Sequence, residues 1–271
     1  MVDSLQSRGP GFNFDLAKRN SLLEQNGLKT PQLLKTGTTL AAVVFKDGVV
    51  LGADTRSTAG DVIAEKNCQK LRFPAPNLCI AGSGTSADCE HVSSMVASAL
   101  TLHRHETGRE NRTVTAMTML KTHLRRYQGY VSAALLLGGV DLNGPQLYSI
   151  YPHGSVDALP FGTMGSGSYA AISVLEADYK EDLSEEEAKK LVSRSIRAGI
   201  MNDAGSGSNV DLVVIKKGEL EYLRNYEFLQ PKLYTRQNPV HYPKGTTPIV
   251  KEKLISLKEI AVVDGDAMDI S

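Results

Sequence analysis

The chain is short of several things that would point to particular functions. It has only three cysteines, Cys68, Cys79 and Cys89, in 271 residues. That is too few for a disulfide framework and fits a reducing setting, the cytoplasm and nucleus. Lysine plus arginine and aspartate plus glutamate both number 30, giving a formal net charge of zero. An electrostatic case for nucleic acid or an anionic membrane surface is therefore missing. No apolar run reaches the length of a membrane span, and residues 1–37 have no continuous apolar stretch of the secretory kind. Zinc-site spacing is missing as well. His103 and His105 stand two apart, so they diverge on a helix, and no cysteine pair has finger spacing. The expectation is an intracellular, soluble protein without metal or organic cofactor.

What is present begins at Thr36-Gly37-Thr38-Thr39-Leu40. Cutting Gly37–Thr38 would make Thr38 the first residue, with its Oγ and a free α-amine on one side chain and backbone. An α-amine titrates at about 7.7–8.0, so near neutral pH part of it is free to act as a base. Nucleophile and base would then share a residue. A Thr-Thr pair at a strand start has a plainer reading too, since threonine favours strands. The chain carries an internal control: Gly245-Thr246-Thr247 repeats the triplet, but Pro248 follows and too little chain remains to build a domain. Behind the first copy come an apolar run from Leu40 to Ala53, then Asp54-Thr55-Arg56, and later Lys70.

Along the chain, residues 1–37 read as irregular. Leu40–Phe45 and Val49–Ala53 flank Lys46-Asp47-Gly48, a tight hairpin turn. Apolar residues at helical spacing predict one helix from Ser86 to about His105 and a second through Met117, Leu120, Leu124 and Tyr127. Val131–Val140 and Gln146–Tyr151 form a further strand pair. Helices near Tyr169–Tyr179 and Ser184–Met201 follow, the latter opening on a Ser184-x-x-Glu187 capping box. Val210–Ile215 and Leu220–Tyr226 close the core over Lys217-Gly218. Strands in hairpins and helices in consecutive pairs speak for antiparallel sheets with helices packed outside. From Gln230 onward four prolines and little periodicity predict a tail that cannot fold alone.

Several segments admit two readings. Asp54 and Lys70 follow Thr38 at equal intervals; the spacing alone suits an ordinary surface ion pair, while a buried ammonium held by a carboxylate would activate a nearby hydroxyl. Gly82-Ser83-Gly84-Thr85 before a helix is either a plain turn or a place where amides meet an oxyanion. Cys68 beside Lys70 is a small apolar side chain or a reactive thiol. Gly165-Ser166-Gly167-Ser168-Tyr169-Ala170 superficially fits a dinucleotide fingerprint. Its helix leads through Glu181-Asp182-Leu183-Ser184 into another helix, though, not into a strand ending in a ribose-binding acid.

Taken together, Thr38-Thr39-Leu40, Gly52-Ala53-Asp54-Thr55-Arg56, Lys66-Asn67-Cys68-Gln69-Lys70, Gly82-Ser83-Gly84-Thr85 and the run from Asn202 to Asn209 resemble the catalytic beta subunits of the eukaryotic 20S proteasome, which are N-terminal-nucleophile hydrolases. Tyr127-Gln128-Gly129-Tyr130, the run from Tyr148 to Ser155 and Lys244-Gly245-Thr246-Thr247 resemble the trypsin-like branch, beta subunit type 2. The resemblance implies an α+β fold, a four-layer αββα sandwich of two antiparallel sheets between helix layers. It divides the chain into a removable pro-segment (1–37), a hydrolase core (38–229) and a tail (230–271) docking on a neighbouring subunit. It implies Thr38 as nucleophile, Asp54 and Lys70 as its partners, the Gly84 amide as oxyanion donor, and Ser166, Asp203 and Ser206 as the cluster around the new N-terminus. Ser57, Cys68, Arg72, Gly82, Ser86 and Glu90 would wall the substrate pocket. Glu90 would attract basic side chains; on sequence alone it is equally a solvated acid in a first helical turn. Arg72 departs from the branch, which usually has His there. The implied partners are other alpha and beta subunits in stacked rings, and unfolded polypeptide substrates. A non-catalytic ring subunit is the alternative.

Overall fold

A computed structural model describes residues 14–27, 37–229, Pro243, Gly245 and 251–253. Thr36, most of the expected pro-segment and nearly all of the expected tail lie outside the described residues, while Gly37 and Thr38 of the expected junction lie within them. The chain divides into two compact units, residues 1–231 and 232–271, and everything below concerns the first.

The elements run α1 (Asp15–Gln25), β1 (Leu40–Phe45), β2 (Gly48–Asp54), β3 (Ser57–Ala59), β4 (Val62–Glu65), β5 (Leu71–Ala75) and β6 (Leu78–Gly84). Then come α2 (Ser86–Thr107), α3 (Thr113–Tyr127), β7 (Ala133–Asp141), β8 (Gly144–Ile150), β9 (Val156–Ala158) and β10 (Phe161–Met164). The last are α4 (Ser168–Asp178), α5 (Glu185–Asn202), β11 (Asn209–Lys216) and β12 (Glu219–Phe228). One antiparallel sheet has the order β10-β1-β2-β11-β12, a second β5-β6-β7-β8-β9, and β3 and β4 pair separately.

Strand alternation builds the layers. In β1, Leu40 and Ala42 enter a cluster shared with Cys79, Ala81, Leu136 and Val140 of the other sheet, so they face across the sandwich. Ala41, Val43 and Phe45 point the opposite way, onto Leu191, Val192 and Ile196 of α5. On the far side Ile80, Leu135 and Leu137 meet Val92, Val96 and Leu100 of α2 and Leu120 and Leu124 of α3. The order is α4/α5, sheet, sheet, α2/α3: the αββα sandwich. Strands covered on both faces need no polar side, which is why Leu40–Ala53 is almost wholly apolar.

Three local expectations need correction. Residues 1–37 are not irregular throughout, since α1 spans Asp15–Gln25. Its described side chains are exposed, so no apolar stripe marks it, and its Ala, Leu, Lys, Arg, Glu and Gln content is what favours the helix. The first hairpin turn is Lys46-Asp47 alone, because Phe45 pairs with Gly48. Gly48 belongs to the strand, where a Cβ would fall 2.0 Å from the Ile215 carbonyl oxygen. Close approach of β11, not turn geometry, requires it. Strands β3, β4, β5, β6, β9 and β10 were not anticipated. β5 and β10 lie at sheet edges, and β5 contains Pro74 beside a register slip between Arg72 and Ala75.

Candidate active site

Thr38 lies just ahead of β1 and is 5% exposed. Strand pairing puts Asp54, the last residue of β2, next to it: the Asp54 amide donates to the Thr39 carbonyl (3.1 Å), and the Thr39 amide donates to Asp54 Oδ1 (2.9 Å). Lys70 comes from the other sheet, immediately before β5, and its Nζ lies 2.7 Å from Asp54 Oδ1 and 3.0 Å from Thr38 Oγ1. The surface reading of this pair fails, because Asp54 is wholly buried and Lys70 is 7% exposed. The amides of Arg56 (3.2 Å) and Gly207 (3.1 Å) donate to Asp54 Oδ2, so both carboxylate oxygens are satisfied and the buried charge is compensated. Thr38 Oγ1 donates to the Gly37 carbonyl at 2.6 Å, and Lys70 Nζ reaches the same oxygen at 3.4 Å. Hydroxyl, ammonium and the carbonyl of the Gly37–Thr38 bond therefore converge in a buried place.

A second group meets the Thr38 backbone nitrogen. That N–H donates to Ser166 Oγ (3.0 Å), which donates to Asp203 Oδ2 (2.5 Å); Ser206 Oγ donates to the same oxygen (2.6 Å). Thr39 Oγ1 donates to Ser206 Oγ at 2.7 Å. Burial raises the pKa of the Asp203 carboxyl, but donation from Ser166, Ser206 and the Gly205 amide outweighs it, and the net shift is downward. Residues far apart in sequence, from the segment just ahead of β1, the β10–α4 loop and the α5–β11 loop, thus form one hydrogen-bonded cluster. The glycine loop with the dinucleotide-like pattern serves this cluster. The Gly167 amide donates to the Thr38 carbonyl (3.2 Å), and a Cβ on Gly165 would sit 2.1 Å from that oxygen. The chain itself occupies the place a phosphate would need.

A cavity of about 40 Å³ opens beside Thr38, lined by Ser57, Cys68, Arg72, Gly82, Gly84 and Ser86 among others. Gly84 ends β6 at φ +108, and a Cβ there would lie 2.3 Å from the Ser132 carbonyl oxygen, so a side chain is excluded twice over. A Cβ on Gly82 would press on Cys89, 3.0 Å from its Cβ and 3.2 Å from its Sγ, with Arg72 Nη1 3.5 Å away. Glu90 must be corrected. It is exposed and does not line the cavity; Cys89, one residue earlier on α2, does. Burial pushes the Cys89 thiol up to about 11, and the Cys68 thiol is likewise raised, burial being the main cause. Neither favours a thiolate. Sequence reasoning also passed over Arg56, whose Nη1 donates to the Ala204 carbonyl (3.0 Å) and braces the loop carrying Ser206. Only its place in the Asp54-Thr55-Arg56 run could have signalled it.

A hydroxyl, an ammonium and a carboxylate at the open end of a two-sheet sandwich define a class, and sequence comparison agrees with it. The proteasome subunit family profile matches residues 34–215, and the chain belongs to that family, a family of threonine proteases. Among its relatives, proteasome subunit beta type-7-B of Arabidopsis thaliana is 56% identical over 96% of this chain and 95% of its own length. Proteasome subunit beta type-7 of Dictyostelium discoideum is 50% identical over 94% and 95%. Proteasome subunit beta type-2 of Saccharomyces cerevisiae is 47% identical over 92% and 96%. The chain is a beta subunit of the proteasome core.

Proposed function

We propose that this chain is a catalytic beta subunit, a threonine endopeptidase made as a precursor and activated by its own cleavage at Gly37–Thr38. The observation that carries the reading is the buried contact of Lys70 Nζ with Thr38 Oγ1 at 3.0 Å, with that oxygen also bonded to the Gly37 carbonyl. The ammonium stabilises the hydroxyl as it gives up its proton. Oγ1 attacks the Gly37 carbonyl carbon, the C–N bond to Thr38 breaks, and the hydroxyl proton ends on the departing nitrogen. Water then hydrolyses the resulting ester and leaves Thr38 with a free amine among Ser166, Asp203 and Ser206. On a substrate, that amine takes the Oγ1 proton during attack and passes it to the leaving peptide nitrogen. It next activates the water that clears the acyl-enzyme. The Gly84 amide is the proposed oxyanion donor.

The preference we propose is for basic residues before the cut bond, in unfolded polypeptides threaded into a stacked-ring assembly with other alpha and beta subunits in cytoplasm and nucleus. Support for the preference comes from the resemblance to the trypsin-like branch. Arg72, which lines the cavity, acts against it by its charge. The alternative, a non-catalytic ring subunit, is disfavoured because Thr38, Asp54 and Lys70 are present and in contact.

The deciding test is Thr38→Ala. It should leave residues 1–37 attached in assembled particles and abolish this subunit's peptide cleavage, read by intact mass and by fluorogenic peptides with the other active subunits silenced. Active wild-type particles that still carry residues 1–37 would refute the proposal.

A further inference from the structure

A second buried ion pair lies away from Thr38. Pairing of β11 with β12 slips between Val210 and Leu212, leaving Asp211 opposite a bulge that holds Arg224 and Asn225. Asn225 has φ 53, and its amide donates to Asp211 Oδ1 at 2.8 Å. Asp211 Oδ2 accepts from Tyr222 Oη (3.2 Å) and from the Arg224 guanidinium. The Asp211 side chain is 1% exposed. This fixes one edge of the guanidinium. The guanidinium also reaches the segment between β4 and β5: Nη2 donates to the Asn67 carbonyl and to Asn67 Oδ1 (3.0 Å), and Nη1, the nitrogen held by Asp211, donates to the Cys68 carbonyl (3.3 Å).

The segment gripped in this way walls the cavity through Cys68, Gln69 and Lys70. Its other fastenings come from Thr55, whose Oγ1 donates to the Lys66 carbonyl (2.9 Å) and whose carbonyl accepts from the Cys68 amide (2.9 Å). Lys70 is pinned separately, by Asp54 at 2.7 Å. Loosening Arg224 should therefore move the Cys68 wall while leaving the ammonium at Thr38. We infer that Arg224, oriented by Asp211 across the β11–β12 bulge, is a positioning residue that sets the Cys68 wall of the specificity cavity and so governs the acceptance of long side chains. The inference rests on the peptidase reading for its substrate consequence, and on geometry alone for its effect on the segment.

Arg224→Lys separates the two halves of the device. A lysine keeps a cation opposite Asp211 but has no fork to hold two carbonyls. In particles with the other active subunits silenced, the variant should still expose Thr38 as N-terminus and cleave peptides ending in Ala at the wild-type rate. For peptides ending in Arg or Leu, kcat/KM should fall about tenfold, carried by KM rather than kcat. Alkylation of Cys68 by a maleimide, mapped on this chain by mass spectrometry, should become faster. The double variant Arg224→Met with Asp211→Asn, which removes both charges together, should give the same split. Equal loss on all three peptides, or unchanged KM with unchanged Cys68 alkylation, would overturn the inference. If wild-type particles cleaved nothing and kept residues 1–37, the peptidase reading would fall, while Cys68 alkylation would still decide whether Arg224 fixes the segment.

Discussion

A lysine ammonium 3.0 Å from a threonine hydroxyl works as a compact charge with three donors, and here two are spent on Asp54 and Thr38. A guanidinium spreads the same charge over a plane and does not fit between them. Lys70→Arg should therefore lower peptide cleavage by this subunit at least about 10²-fold, measured in particles with the other active subunits silenced. Asp203 supplies the pH dependence at this scale. Its folded pKa is depressed, so its stabilising contribution is complete at neutral pH and is lost as pH falls through the depressed value. Asp203→Asn should lower Tm at about pH 7, and the difference from wild type should close only in acid, below the ordinary aspartate range, read by thermal melts of the particle.

At the scale of elements, strand pairing and helix phase decide which side chains reach the cavity. Leu40 pairs with Ala53, so Asp54 must fall beside Thr39, and that is where the carboxylate is found. Helix α2 presents Ser86 and Cys89 to the cavity, while Glu90, one turn beyond Ser86, is exposed and does not line it. Charges in solvent are screened, whereas Arg72 lines the cavity itself. Arg72→Ala should raise kcat/KM for peptides ending in Arg about tenfold, and Glu90→Gln should change it less. Both are read with fluorogenic peptides ending in Arg, Leu and Asp. A larger effect from Glu90→Gln would mean that α2 turns its carboxylate towards bound substrate.

At the scale of the whole molecule, the three apolar clusters close among the described residues between Leu40 and Leu229. Deleting the chain from Gln230 onward should therefore leave the core's fold intact and show its effect in assembly. Native gels should reveal fewer incorporated subunits, with unchanged circular dichroism of those that are. The sequence by itself determined the helices α2 to α5, the hairpins β1–β2, β7–β8 and β11–β12, and the identity of Thr38, Asp54 and Lys70. Local periodicity carries the elements along the chain, an unusual junction marks Thr38, and the family resemblance, not spacing, names Asp54 and Lys70 as its partners. Helix α1 stayed hidden because it shows no buried stripe, β5 and β10 because edge strands with proline or glycine lose the pattern, β3, β4 and β9 because they are only three or four residues long, and β6 because a strand buried on both faces does not alternate. The tertiary structure alone decided that Lys70 is buried against Asp54 rather than paired at the surface, since the two come from different sheets. It also decided that Ser166, Asp203 and Ser206 meet at the Thr38 nitrogen and that Cys89 rather than Glu90 faces the cavity. Those outcomes depend on how layers stack and how a helix is rotated about its axis, and no spacing along the chain encodes either.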